Sequence, residues 1–122
     1  MAVGREAFHQ RIGIEFVAVH DDGVTMQLHA SRRHLNEAGA VHSGVLFTLA
    51  DSALGHGISR AVGKPCTTAE MKVCYLSPAP PGILTARSRI LRAGRRLVVA
   101  RAEVCHGNER VAEALATFAV LG

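Results

Sequence analysis

HLNEAGAVHSGVLFTLADSALGHG, residues 34–57, joins a glycine-bearing turn to a long helical pattern that carries almost no charge. The turn is Val41–Gly44, and Asp51, the one carboxylate of the helical pattern, follows seven residues after Gly44. The first turn of a helix presents unpaired N–H groups and the positive end of the helix dipole. Such groups bind anions or stabilise an oxyanion, and a carboxylate in the same pocket can act as base or nucleophile. The stretch therefore predicts an acyl-transfer site.

The helical pattern runs over roughly Gly44–Val62. It is apolar on nearly all sides, and a helix of this kind is usually buried. At 100° per residue Asp51 falls close to Phe47 and Ile58, so we expect it to face protein or a pocket rather than open water. One stripe at helical spacing consists of Leu46, Leu49, Ala50 and Ala53.

The segments around this helix alternate between apolar and polar residues with a period of two, and turn signals separate them. Residues 31–43 form a polar, irregular connection, and 113–116 is also compatible with a helix. Strands clustered around one helix favour an α+β domain whose mainly antiparallel sheet wraps the helix on one face. The predicted elements are a short helix over 4–11 and strands over Ile12–Val19, Val24–Ala30, Thr67–Leu76, Ile83–Arg92, Leu97–Cys105 and Val111–Leu121.

Composition narrows the class of protein. A length of 122 residues predicts one domain over residues 1–122. Because the chain has four Phe, one Tyr and no Trp, its core must be aliphatic, and we expect a partner subunit to help bury it. The apolar segment Val45–Val62 contains Asp51, His56 and Arg60, which argues against a membrane span.

The cysteines and the first residues predict a cytoplasmic protein. The three cysteines are odd in number and form no C-x-x-C, so neither a disulfide framework nor a zinc site is expected, and a reducing compartment fits best. Arg5, Glu6 and His9 stand where a secretory signal would be apolar. Cys74 has no base beside it in the sequence and is interpreted as a core residue.

The formal net charge is +4, and five arginines lie within ten residues without an acid among them. Such a cluster suits nucleic acid or a phosphorylated small molecule, or is simply a solvated face. The nucleic-acid interpretation is weak because no aromatic residues alternate with the basic ones. The cluster comprises Arg87, Arg89, Arg92, Arg95 and Arg96.

The order of elements and the central stretch resemble the hotdog-fold acyl-CoA thioesterases of the PaaI-like (phenylacetate-degradation) branch. In that branch a turn of the form N-x-x-G-x-x-H-G-G precedes the central helix, and an aspartate follows on the helix. The strand after the helix is also similar, with Glu70–Pro78 (EMKVCYLSP) in place of an acidic-Met-x-x-x-Tyr-x-x-Pro run. The resemblance covers nearly the whole chain. The matching turn and helix residues are Asn36, Gly39, His42, Ser43, Gly44 and Asp51.

The resemblance implies a role for each of these positions. Asp51 would be the nucleophile or the base that activates water, and the N–H of Ser43, beside Gly44 at the helix entry, would polarise the thioester carbonyl. Asn36 would orient the water or the thioester, and His42 would support the turn. Thr68, contributed by the neighbouring subunit, would hydrogen-bond near the water or the carboxylate.

The resemblance further implies hydrolysis of an aryl- or medium-chain acyl-CoA by a homodimer or homotetramer with its site at the subunit interface. Arg95 and Arg96 are candidates for the coenzyme A phosphates. No cofactor or metal is expected, since water, a carboxylate and an N–H donor suffice. Ser43 stands where the family has glycine; a Cβ there costs about 1–2 kcal/mol if φ is positive and nothing otherwise.

Simpler interpretations stay open beside these. Asp51 can be a structural carboxylate satisfied by backbone N–H groups, His42 can be a helix cap, and Thr68 can reflect ordinary strand propensity. His56 is interpreted as a packed or interface histidine. The alternative functions are a non-catalytic acyl-CoA-binding hotdog module, or a hydratase or dehydratase that pairs His42 with Asp51.

Overall fold

A computed structural model describes residues 7–122 of the chain. One six-stranded sheet, in the order β1-β2-β4-β5-β6-β3, holds every strand, and all neighbours are antiparallel. The α+β hotdog architecture expected from the sequence is confirmed. The elements are α1 Phe8–Ile12, β1 Ile14–His20, β2 Gly23–Ala30, a 3-10 turn Arg32–His34, α2 Ser43–Val62, β3 Cys66–Tyr75, β4 Gly82–Ala93, β5 Leu97–His106 and β6 Glu109–Val120.

The predicted elements are confirmed to within one or two residues, except at the start of the chain. Of the helix predicted over 4–11, residues 8–11 are helical, Ala7 is the residue before the helix, and residues 4–6 lie outside the described residues. The helix continues to Ile12 and ends at Gly13, whose φ of 102° is left-handed. The next strand therefore starts at Ile14 instead of Ile12. Residues 113–116 are strand, so their helical alternative is wrong.

The inner face of the sheet carries small residues at its centre, between larger apolar ones, and α2 lies directly on it. Adjacent strands place Ser88 opposite Ala102, and Ala102 opposite Ala114, all of them buried. The approach is closest at Gly57, where an added Cβ would lie 2.7 Å from the Oγ of Ser88. That hydroxyl is itself fixed, because it accepts from the N–H of Val24 at 3.1 Å and donates to the carbonyl of Val24 at 3.3 Å.

The other face of α2 is only partly covered, by α1 and by β3 at the edge of the sheet. Phe47, at 39% exposed, marks this open face near the helix start. Most residues of β3 are exposed, and Cys74 is among them. The interpretation of Cys74 as a core residue is thus wrong, because β3 is an edge strand with a neighbour, β6, on one side only, and it leaves this side chain exposed. In the part of the chain that the structure describes, no helix is both long and apolar enough to cross a membrane.

Candidate active site

The turn that opens α2 is organised by His42. Its Nδ1 accepts a hydrogen bond from the N–H of Gly44 at 2.9 Å, which caps the helix. A Cβ on Gly44 would lie 3.1 Å from that nitrogen, so glycine lets the ring approach the backbone. Because Nδ1 accepts, the neutral ring carries its proton on Nε2 and can donate from there. His42 is therefore a cap whose other nitrogen remains available as a donor.

Ser43 supplies the free backbone donor of this turn. Gly44 N–H is occupied by His42, whereas Ser43 N–H has no acceptor within residues 7–122. Non-glycine residues with positive φ are absent from the described chain, so Ser43 replaces the family glycine without strain. The hydroxyl of Tyr75 donates to the carbonyl of Ser43 at 3.1 Å. Sequence reasoning noticed Tyr75 only as part of a strand motif and missed this contact.

Asn36 lies beside the same turn. Its Oδ1 accepts from the N–H groups of Ala38 at 2.9 Å and Ala40 at 3.1 Å, which fixes the loop. The side-chain amide NH2 is then left to donate. Asn36, His42 and Ser43 all line one cavity of about 660 Å³, which we call the turn cavity.

Asp51 lies elsewhere, on the open face of α2. It is half-buried, and Thr68 on β3 donates a 2.6 Å hydrogen bond from Oγ1 to its Oδ1. This contact is made within one chain, and the contribution of a threonine by the neighbouring subunit stays a prediction. Both side chains line a second cavity of about 500 Å³, the α2–β3 groove, which continues past Gly55 to Cys66. The expectation that Asp51 faces a pocket is confirmed.

One chain does not unite the two halves of the predicted site. Ser43 and Asp51 are eight residues apart on a single helix, which separates them by about 12 Å along its axis. The turn cavity and the α2–β3 groove share no lining residue. A carbonyl held by Ser43 N–H is thus out of reach of Asp51 in the same chain.

The pKa of the Cys66 thiol reflects the burial and the negative charge in the α2–β3 groove. It donates to the carbonyl of Gly55 at 3.5 Å. Burial raises the pKa of the Cys66 thiol, and the negative charge of Asp51 raises it further. Within residues 7–122 no three or more His, Cys, Asp or Glu side chains are grouped so as to hold a metal ion.

Two histidines line the α2–β3 groove on the side of α1. The rings of His9, from α1, and His56, from α2, meet edge to face with their centroids 4.7 Å apart. Nδ1 of His56 lies 2.7 Å from the carbonyl oxygen of Ser52. The pKa of His9 is lowered, first by burial and then by the charge that His56 carries when protonated. His56 is packed, as expected, but the role of His9 was missed because it depends on where α1 lies.

Two arginines of the cluster form salt bridges with an acidic residue from a distant part of the sequence. Asp22 pairs with Arg87 at 2.8 Å and with Arg89 at 3.5 Å, so these two are not free. Arg95 and Arg96 lie at the β4–β5 hairpin and are exposed. Register places Leu97 beside Ala119 and Ala119 beside Thr67. The hairpin is therefore about 10 Å, or two strand spacings, from the β3 wall of the groove.

Comparison with known proteins gives consistent results. The model of the "Thioesterase superfamily" matches residues 38–113. A protein of Saccharolobus solfataricus, named as an inferred esterase, is 30% identical over 95% of this chain and 79% of its own length. The structure of a conserved Pseudomonas aeruginosa protein is similar with a TM-score of 0.90 and 31% identity, covering 95% of this chain and 94% of that one. A variant of the phenylacetic acid degradation protein PaaI from Thermus thermophilus is similar with a TM-score of 0.88 and 26% identity, covering 95% and 100%.

Proposed function

This chain belongs to the thioesterase superfamily, and from that premise we propose that it hydrolyses an acyl-CoA thioester to the free acid and coenzyme A, at a site completed by a second copy of itself. The observation that carries the proposal is the pair of half-sites. One half has a free N–H at the start of α2, and the other has a carboxylate held by Thr68. Neither half is sufficient for acyl transfer.

A symmetric dimer brings the two different half-sites together at two places in its interface. In a dimer with two-fold symmetry, both subunits contribute the same surface to the interface. The turn cavity of one subunit then faces the α2–β3 groove of the other, and two complete sites form. The open face of α2 and the unpaired edge of β3 support this arrangement, since both leave the groove uncovered in one chain.

The chemistry follows from the groups in each half. Ser43 N–H of the partner subunit polarises the thioester carbonyl and stabilises the oxyanion. Asp51 acts as general base on water or as nucleophile, and Thr68 keeps one of its oxygens fixed so that the other points to the reaction. With water as nucleophile, Asp51 takes a proton from the water as its oxygen bonds to the carbonyl carbon; the C–S bond then breaks, and the proton passes to the departing thiolate. Asn36 orients the water or the thioester.

Substrate binding is assigned on charge and size. Arg95 and Arg96 bind the coenzyme A phosphates, and their position near the β3 wall supports this. The groove, at about 500 Å³, has room for an aryl or medium-chain acyl group. No cofactor or metal is needed, because water and the protein groups supply every step. The three unpaired cysteines favour a reducing compartment, and we place the enzyme in the cytoplasm.

Activity is tested by thiol release from a panel of acyl-CoAs. Asp51→Ala should lower kcat by several decades and leave the fold intact, because the half-buried carboxylate has only one side-chain hydrogen-bond partner, Thr68, among the described residues. A wild-type protein that binds acyl-CoA without releasing coenzyme A would instead be a binding module. Retained turnover in Asp51→Ala would remove Asp51 from the mechanism.

The shared site is tested by mixing two inactive variants. Asp51→Ala removes the carboxylate, and Ser43→Pro removes the N–H donor. After random exchange of subunits about half of the dimers are mixed, and each mixed dimer has one intact site, so activity should return to about a quarter of wild type. The same mixture without exchange is the control. No recovery after exchange would mean that each chain carries its own complete site.

A further inference from the structure

We infer that His34 is a positioning residue, whose buried ring ties the loop before α2 to the end of α1 and thereby fixes the place of the Ser43 N–H. This inference rests on the proposed function, since it names a further residue on which the same oxyanion donor depends. The side chain of His34 is 5% exposed and lines neither the turn cavity nor the α2–β3 groove. It therefore acts through its neighbours and does not touch the substrate.

Both nitrogens of the His34 ring have partners. A buried polar group without a partner destabilises the fold, so the bonds of this ring show what it holds in place. Nδ1 accepts a hydrogen bond from the N–H of Ser31 at 2.9 Å, and Nε2 lies 2.7 Å from the carbonyl oxygen of Ile12. Because a carbonyl oxygen only accepts, the proton is on Nε2 and the ring is neutral.

These two bonds join segments that are far apart in the sequence. Ile12 is the last residue of α1, where carbonyl groups have no partner within the helix. Ser31 directly precedes the 3-10 turn that ends at His34. Arg33 donates to the same Ile12 carbonyl at 3.2 Å, but its side chain is exposed and water can replace it. The ring of His34 is thus the buried link between α1 and the loop.

The backbone of His34 continues this link to the start of α2. Its carbonyl oxygen accepts from the N–H of His42 at 2.8 Å. Between these two residues the loop doubles back on itself, with Leu35 bridged to Val41 in antiparallel fashion. The next peptide after His42 carries the Ser43 N–H, so a shift of His42 displaces the oxyanion donor directly.

A second anchor keeps the loop attached when the ring is removed. The N–H of Val41 donates to the carbonyl of Ala79, in the segment after β3, at 2.8 Å. We therefore expect a variant of His34 to fold with its Ser43 N–H out of place. A misplacement of about 1 Å in a catalytic group costs up to about 100-fold in rate.

Variants of His34 test the inference by steady-state release of coenzyme A, measured well below the Tm of each sample. His34→Leu should lower kcat about 10- to 100-fold and change KM by less than about threefold. His34→Gln, whose amide can place an N–H near Nε2, should restore part of kcat. His34→Asn should not, because its shorter amide reaches Ser31 but not Ile12. Arg33→Ala, which removes the exposed donor to the same carbonyl, is the matched control and should stay within about twofold of wild type.

A double-mutant cycle separates positioning from a general loss of stability. In Ser43→Pro the donor is already gone, so adding His34→Leu should lower kcat by less than about threefold more. The inference would be overturned by an equal loss in both backgrounds, by an equal loss in Arg33→Ala, or by a His34→Leu kcat within about threefold of wild type. If His34→Leu does not fold, equal kcat values for His34→Gln and His34→Asn would overturn it instead. All of these results leave the thioesterase standing, whereas absence of hydrolysis with every acyl-CoA would overturn both.

Discussion

Replacing Ser43 with proline should remove one hydrogen atom from the oxyanion site and disturb little else. Ser43 is the first residue of α2, a position where proline is favoured because its N–H has no partner in the helix. His42 precedes it with φ −59° and ψ 136°, the conformation that a residue before proline prefers. The folded state should thus be unchanged in stability, or more stable by up to about 1 kcal/mol.

The effect on catalysis should be large. Loss of one oxyanion donor costs about 10²–10³-fold in kcat, or roughly 3–4 kcal/mol. Steady-state release of coenzyme A gives kcat, and thermal unfolding of the same samples gives Tm. Ser43→Ala and Ser43→Gly keep the N–H and should stay within a few-fold of wild type. A Ser43→Pro enzyme with unchanged Tm and a kcat within tenfold of Ser43→Ala would refute the assignment of this N–H to the oxyanion.

Two further outcomes follow from the packing of α2. Gly57→Ala should destabilise the protein by about 1–3 kcal/mol, because the new methyl displaces the Ser88 hydroxyl from its hydrogen bonds and outweighs the gain of about 1 kcal/mol in helix propensity. Gly55→Ala is the control: its Cβ would have only an ordinary 3.4 Å contact, so urea unfolding should show equal or greater stability; equal losses in both would contradict this packing. Alkylation of Cys66, followed by peptide mapping, should begin above the usual pH of a thiol, since burial and the charge of Asp51 raise its pKa. In Asp51→Asn the onset should move to lower pH, and an unmoved onset would show that the carboxylate charge does not act on the thiol.

The sequence predicted most of the fold because the elements are local patterns. A period of two marks the strands, and the apolar stripe of α2 gives its length and its buried side. Long-range contacts were not predictable in this way. Asp22 reaches Arg87 only after two strands pair, and Thr68 reaches Asp51 only because β3 returns along α2.

The candidate site shows the same division. The helix opening at Ser43 and the carboxylate at Asp51 are visible as a motif, and so is their separation, since eight helical residues span about 12 Å. Ser43 and Asp51 were assigned to one pocket because they are close in the sequence, but within one chain they are not close in space. The wall formed by His9 depends on how α1 docks, which no pattern within residues 4–11 reveals.

The alanines at the centre of the sheet, beneath α2, have a consequence for how such a protein can diverge. A methyl group has no flexible side chain to absorb a change in volume, so a larger residue at one of these alanines must shift α2. Asp51 and Ser43 belong to that helix and would shift with it. Inherited changes of substrate are therefore expected to accumulate along the rim of the groove, where a side chain can vary alone, while the layer beneath stays under purifying selection.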